Sequence, residues 1–183
     1  MNFALIFKFL IENLTREKID FALMGGLALQ AAGITRTTRD IDLLVLSGDS
    51  PKIKEIMLKH RYELLHESED ILNFAGKNFG LGRVDFLLAH RKYTLAMLER
   101  AKEESVLGGK FKIKVLLVED QIGLKVQASS NDPKRLYQDM ADVRTLMETH
   151  YPKLDIDLIR EYFSLFNREK ELDDIIKETK DAK

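Results

Sequence analysis

No cysteine occurs among the 183 residues. That excludes disulfide scaffolds, thiolate zinc sites, iron–sulfur clusters and cysteine nucleophiles together, and it suits a reducing, cytoplasmic setting. Neither sign of charge prevails. The 29 Lys and Arg face 30 Asp and Glu, a net charge of -1, which argues against a general nucleic-acid coat with a basic footprint but leaves room for a local patch. No apolar run reaches the roughly 18 to 20 residues that cross a bilayer, so no membrane association is expected. The greasiest stretch, Met1 to Ile11, is interrupted by Lys8 and followed by Glu12. It lacks the basic start and small-residue cleavage site of a signal peptide and reads as an amphipathic core helix. The four histidines, His60, His66, His90 and His150, show no HExxH spacing and no close pair, so a histidine metal site is not expected. The glycine-rich dinucleotide loop, the phosphate-binding loop and the hydrolase nucleophile elbow are missing as well.

What is present is a 45% hydrophobic chain with alternating helical and strand signals in its first part. After the first helix of about 18 residues, Asp20–Met24 reads as a short buried strand, broken by Gly25-Gly26. Leu27–Ala32 restarts as a helix with Gly33 as its cap. Thr35–Arg39 is a polar loop, and Asp40–Leu46 has the β-branched, apolar look of a central strand. Ser50 is a plausible N-cap with Pro51 at the first position of a helix to about Arg61. Strand-like pieces follow at Tyr62–Leu65, Ile71–Ala75 and Arg83–Leu88, then a helix from about Arg91 to Lys102. Gly108-Gly109-Lys110 marks a hairpin. After Val118 the pattern is helical throughout: Glu119–Ser129, Pro133 to about Glu148 with Asp132 as its cap, and Leu154–Phe166. The last 16 residues carry 11 charges around Leu172, Ile175 and Ile176, the look of a solvated, fraying terminal helix. The chain thus divides into an α/β part, residues 1–118, and a helical part, residues 119–183.

Two short features carry chemistry. Gly25 and Gly26 lie between a strand and a helix, where residues without Cβ let a phosphate approach the backbone and the helix start offers unsatisfied N–H groups. Taken alone, the pair reads first as a tight strand-to-helix turn with no ligand. Asp40 and Asp42 stand at i and i+2 of a strand, so both carboxylates project from one face. Two like charges this close repel unless a counter-ion joins them, and a hard divalent cation such as Mg²⁺ favours carboxylate and phosphate oxygens. Alternatively they are two solvated acids at a strand end. Asp85, in the apolar strand Arg83–Leu88, needs some partner. It either completes a triad with the first two or pairs with a nearby Arg or Lys.

The order Gly25-Gly26, 13 intervening residues, Asp40-Ile41-Asp42 and a later strand acid, Asp85, resembles the nucleotidyltransferase superfamily that shares the DNA polymerase β fold. Arg36-Thr37-Thr38-Arg39-Asp40-Ile41-Asp42 is similar to the form found in its minimal members and in the AbiEii-type toxin group. The resemblance covers residues ~20–88. It implies an α+β fold, a mixed sheet flanked by helices, followed by the helical half. More loosely, Val118–Lys125 and Arg135–Asp142 resemble the toxin branch's acid-then-lysine helix and its Arg-x-x-Lys-Asp-x-x-Asp helix, with Gln138 in place of that Lys. Lys125 is a candidate phosphate ligand there, and Asp139 can hold Lys125 or Arg135. The set is equally an inter-helix salt-bridge network.

The activity implied by the resemblance is transfer of a nucleoside monophosphate from an NTP, ATP among them, to an acceptor. Asp40, Asp42 and Asp85 would hold Mg²⁺ or Mn²⁺, and Asp85 would also help deprotonate the acceptor hydroxyl. Gly25, Gly26, Arg36, Thr38, Arg39 and Lys125 would contact the nucleotide. The acceptor stays open: an RNA 3′ end, a protein side chain, or a small molecule of the antibiotic type. So does the setting, which could be a toxin–antitoxin pair with a cognate protein partner, including a weakly catalytic antitoxin module. An RNA acceptor needs a basic patch, which Lys110, Lys112 and Lys114 would supply if they share a strand face; alternatively they mark a charged edge strand.

Overall fold

In the computed structural model, residues 2–78 and 80–181 are described. The chain forms two units, one of residues 1–31 and 35–116, the other of residues 32–34 and 117–183.

The first unit is built on a seven-stranded mixed sheet. Its strands are β1 (Phe21–Met24), β2 (Asp40–Leu46), β3 (Tyr62–Glu67), β4 (Ile71–Gly76), β5 (Arg83–Ala89), β6 (Lys102–Val106) and β7 (Phe111–Val115). They lie in the order β3-β4-β5-β2-β1-β7-β6. β2 runs parallel to β5, and β1 parallel to β7, while the other neighbours are antiparallel. The helices of this unit are α1 (Phe3–Arg16), α2 (Gly25–Ala31), α3 (Ser50–Lys59) and α4 (Lys92–Arg100).

Period-2 burial decides which way each strand faces. Ile41, Leu43 and Val45 of β2 join Val84, Phe86 and Leu88 of β5 and Leu72 and Phe74 of β4 in one core. Ile6, Phe7, Leu10 and Leu14 of α1 complete it at helical spacing. Asn2 caps α1 by accepting from the Leu5 N–H at 3.2 Å. The intervening residues Asp40, Asp42 and Asp85 therefore belong to the opposite face of the sheet, and they are only half-buried.

The second unit contains α5 (Val118–Asn131), α6 (Leu136–His150), α7 (Ile156–Ser164) and α8 (Glu169–Asp181). α5 packs on α6 and α7, and α8 packs on α6 and α7. Gly123 sits inside α5 because the Tyr162 ring lies against it; a Cβ there would come within 2.5 Å of that ring. The Tyr162 hydroxyl donates to the fully buried Asp120 at 2.6 Å. Among the described residues no helix is long and apolar enough to cross a membrane.

Several sequence expectations are corrected. Gly25 and Gly26 are the first residues of α2 rather than a break ahead of it; Gly25, at φ +67°, turns the chain within one residue so that the helix starts at once. Ser50 is helical, not a cap, because the 3-10 turn Ser47–Asp49 runs straight into α3. The helix after Arg91 stops at Arg100, and Lys102 already belongs to β6. Asp132 does cap, accepting from the Lys134 N–H at 3.0 Å, but it opens a 3-10 turn ahead of α6. α8 is no frayed solvated helix over its described residues, since Leu172, Ile175 and Thr179 are buried along one stripe; residues 182–183 of that expectation lie outside the described residues.

Candidate active site

β2 and β5 are neighbours at the centre of the sheet, not at its edge. Their parallel register sets Asp42 beside Asp85 and Asp40 beside Arg83. Register partners project from the same face, as do i and i+2 on one strand. Asp40, Asp42 and Asp85 are thus brought together on one face at the starting ends of the two strands. The row extends in both directions, with Asn73 of β4 beside Asp85 and Met24 of β1 beside Asp42.

The electrostatics of the row are unbalanced. The Oδ1 of Asp85 is buried and has no hydrogen-bond partner. Burial pushes the Asp85 carboxyl above its ordinary range. The hydrogen bond from Asn73 pulls it back in part, Asp40 pushes it further up, and Arg83 lowers it. An acid strand with a buried, unpaired oxygen beside two more carboxylates has the donor chemistry of a hard cation site. It is not a closed cage: among the described residues no three His, Cys, Asp or Glu side chains are gathered as a ready metal cluster.

The glycines shape the approach to this row. A Cβ at Gly25 would overlap the Asp42 carboxylate, and the residue has positive φ besides, so both space and backbone require glycine. A Cβ at Gly26 would stand 2.6 Å from the Cβ of Thr38 and 2.8 Å from its Oγ1. The loop from Thr35 to Arg39 therefore passes directly against the start of α2. The loop is tied down at two points. Gln30 Nε2 donates to the Arg36 carbonyl at 2.6 Å, and Thr38 Oγ1 donates to the Asp40 carbonyl at 3.2 Å. Arg36 is half-buried, whereas Arg39 is exposed and has no charged or hydrogen-bonding partner among the described residues. Gly25, Gly26, Arg36, Thr38 and Arg39 all belong to the unit that holds the carboxylates.

Lys125 belongs to the helical unit. Its ammonium lies 3.1 Å from Asp139 and 2.6 Å from Asp142. Arg135 Nε donates to the other oxygen of Asp139 at 2.9 Å. Asp139 thus holds both cations at once. The lysines expected as a basic face are divided: Lys110 is in the turn before β7, while Lys112 and Lys114 are on it. β7 is not an edge strand, because it pairs with both β1 and β6. Lys114 bonds Asp20 at 2.7 Å and Lys112 stands 3.3 Å from Glu103.

Asn73 is the member of the row that the sequence reading passed over. The available signal was a lone amide within the apolar strand Ile71-Leu72-Asn73-Phe74, at the position that alternates with the core residues.

Comparison with family models and with curated proteins yields no match by sequence. Solved structures do match. The solution structure of the antibiotic-resistance factor ANT(2'')-Ia aligns at a TM-score of 0.64 and 13% identity, over 94% of this chain and 96% of that one. A crystal structure of ANT(2'')-Ia in complex with adenylyl-2''-tobramycin gives a TM-score of 0.64 at 16% identity, over 89% and 97%. The lincosamide antibiotic adenylyltransferase LnuA, with lincomycin bound, gives 0.51 at 14% identity, over 77% and 94%. An antigenic nucleotidyltransferase-like protein from Paracoccidioides brasiliensis gives 0.55 at 17% identity, over 92% and 88%. With its mixed central sheet, its flanking helices and these neighbours, the chain has the nucleotidyltransferase fold.

Proposed function

We propose that this protein is a nucleotidyltransferase that moves a nucleoside monophosphate from an NTP to the hydroxyl of a small-molecule acceptor. The observation that carries the enzyme reading is the carboxylate row, with the buried, unpartnered Oδ1 of Asp85 beside Asp42 and Asp42 packed against Gly25. Asp40, Asp42 and Asp85 would hold Mg²⁺ or Mn²⁺, which when bound polarises the α-phosphate and neutralises the pyrophosphate leaving group.

The chain's own residues divide the remaining work. Gly25 and Gly26 keep the α2 start clear of side chains, so that phosphate oxygens can approach the backbone N–H groups. Arg39, exposed at the end of the loop, and Arg36 before it supply positive charge for the triphosphate. Thr38 fixes the backbone of Asp40 through its hydroxyl. Asp85 would also accept the proton of the attacking hydroxyl. The bond from the acceptor oxygen to the α-phosphorus forms as the bond to the pyrophosphate oxygen breaks. In this reading Lys125 stays with Asp139 and Asp142 rather than with the nucleotide.

Two observations favour a small acceptor over RNA or a protein side chain. The structural neighbours ANT(2'')-Ia and LnuA are an antibiotic-resistance factor and an antibiotic adenylyltransferase, and the first is matched over nearly the whole of both chains. In addition, Lys112 and Lys114 each stand beside an acid, which weakens the basic face an RNA would use. None of the neighbours named above is described as a toxin or an antitoxin.

The test is incubation of the protein with labelled NTPs, Mg²⁺ or Mn²⁺ and a panel of aminoglycosides, lincosamides, RNA and lysate protein, with Asp42→Asn as the control. Label is expected on a small hydroxyl compound and not with Asp42→Asn. Label on RNA or protein would overturn the acceptor assignment. Absence of nucleotide binding and of transfer in every fraction would overturn the enzyme reading.

A further inference from the structure

Asp85 has a neighbour whose chemistry goes unused in the reading above. Asn73 stands directly opposite it across the antiparallel β4–β5 pair. Residues so paired have Cβ atoms about 4.5 to 5.5 Å apart, within reach of one another's side chains. The Asn73 amide faces the Asp85 carboxyl closely enough to lower its proton affinity, while Oδ1 of that carboxylate is buried and unpartnered. A carboxylate on a strand turns about its last torsion over a broad range. Here one side of Asp85 is occupied by Asn73, and on the other side its register partner is Asp42. An amide is suited to this position. It donates to a carboxylate, and it adds no charge to a row that already carries three acids.

We infer that Asn73 is a positioning residue for the metal site: its amide holds one side of Asp85, so that the remaining oxygen stays available to the cation that Asp85 and Asp42 would help hold. The inference rests on the nucleotidyltransferase reading and adds to it a residue outside the acid pattern. Partners of metal-binding carboxylates act this way in general, and removing one weakens metal affinity by about 10- to 100-fold.

Two substitutions separate positioning from simple packing. Asn73→Val removes the donor, whereas Asn73→Thr has nearly the shape of Val and restores a hydroxyl donor; both are β-branched residues that suit a strand. Mn²⁺ binding is measured on the whole chain by calorimetry and by electron paramagnetic resonance, without nucleotide and with a non-hydrolysable ATP analogue. Thermal unfolding in EDTA reports on folding separately. The expected result is a wild type that binds Mn²⁺, Asn73→Val weaker by about tenfold or more, and Asn73→Thr recovering part of the loss. In turnover assays the same variants should raise the metal concentration needed for half-maximal rate while leaving KM for the acceptor unchanged.

Val and Thr variants that bind Mn²⁺ as the wild type does would overturn the positioning role and leave the enzyme reading intact. Equal losses in both would also overturn it, since packing and not the donor would then matter. A wild type that binds no Mn²⁺ in either condition would remove the metal reading and this inference together.

Discussion

The two units treat carboxylates drawn out of water in opposite ways. In the helical unit, Asp139 and Asp142 have 4% and 8% exposed side chains, and Lys125 and Arg135 answer them at 2.6 to 3.1 Å. In the α/β unit, Asp85 is left with a buried oxygen that no group meets, in a row with Asp42 and Asp40. Burying a carboxylate costs several kcal/mol unless it is paired and hydrogen-bonded. One unit offsets that cost from within the fold. The other offsets it only in part, through Asn73 and Arg83, and leaves one oxygen of Asp85 unanswered, the arrangement expected where a ligand supplies the missing charge. Carboxylate count alone does not separate a site from a structural network; what does is whether the fold has already answered the charge.

The sharpest way to test that contrast is to neutralise one acid on each side. Asp42→Asn should reduce nucleotidyl transfer by about 10²- to 10³-fold, as loss of one key electrostatic group does, with a smaller change in Tm than its counterpart in the helical unit. Unchanged transfer by this variant would break the assignment of the row as an active site. The counterpart in the helical unit is Lys125→Met, which strands Asp139 and Asp142 in a buried setting. Breaking such a network costs about 3 to 5 kcal/mol, a fall in Tm of roughly 6 °C or more for a chain this size. Differential scanning calorimetry measures it. If Lys125→Met instead abolished nucleotide binding in a protein of normal stability, Lys125 would belong with the phosphate ligands after all.

Gly25→Ala comes next in size. Its Cβ would overlap the Asp42 carboxylate, at a residue whose φ is +67°. The strain of such a backbone is of order 1 to 3 kcal/mol, and the displaced carboxylate should weaken Mn²⁺ binding as well. Gly33→Ala is the control. Gly33 also has positive φ, but a Cβ there meets nothing within 4 Å. Strain alone should lower Tm in both variants, while only Gly25→Ala should lower metal affinity.

Most of the strands were legible because period-2 alternation and core burial coincide in them. β2 runs over Asp40–Leu46 as its apolar pattern implies, and Asp85 falls beside Asp42 because the sheet pairs β5 with β2. What could not be read from pattern was anything decided by neighbours distant in sequence. The place of β7 inside the sheet depends on its pairing with β1, some 90 residues earlier, so alternating lysines alone suggested an edge. The burial of α8 depends on α6 and α7, which a tally of its charges does not reveal. Asn73 was missed for the same reason: its meaning lies in the residue it faces across the ladder, and a single amide on an apolar strand carries no spacing motif. The choice between site and network for Lys125, Asp139 and Asp142 also needed the distances, since the residues themselves fit both.

The smallest effect sharpens the contrast by pH. Burial raises the Asp85 carboxyl above its ordinary range in the folded chain, whereas in the unfolded chain it titrates near the usual value of about 3.9. Between the two values the unfolded chain holds fewer protons on this group than the folded one. Stability therefore falls as pH rises through that window and stays lowered above it. Asp85→Asn removes the penalty, so the variant should melt higher than the wild type near neutral pH. The difference should shrink toward zero below about pH 4. A divalent cation should raise the wild-type Tm and narrow the gap, because it supplies the counter-charge that the variant no longer needs. Scans at pH 4 and pH 7, with and without Mn²⁺, measure all four corners. A gap that ignored both pH and metal would mean that Asp85 is answered within the fold, as Asp139 is.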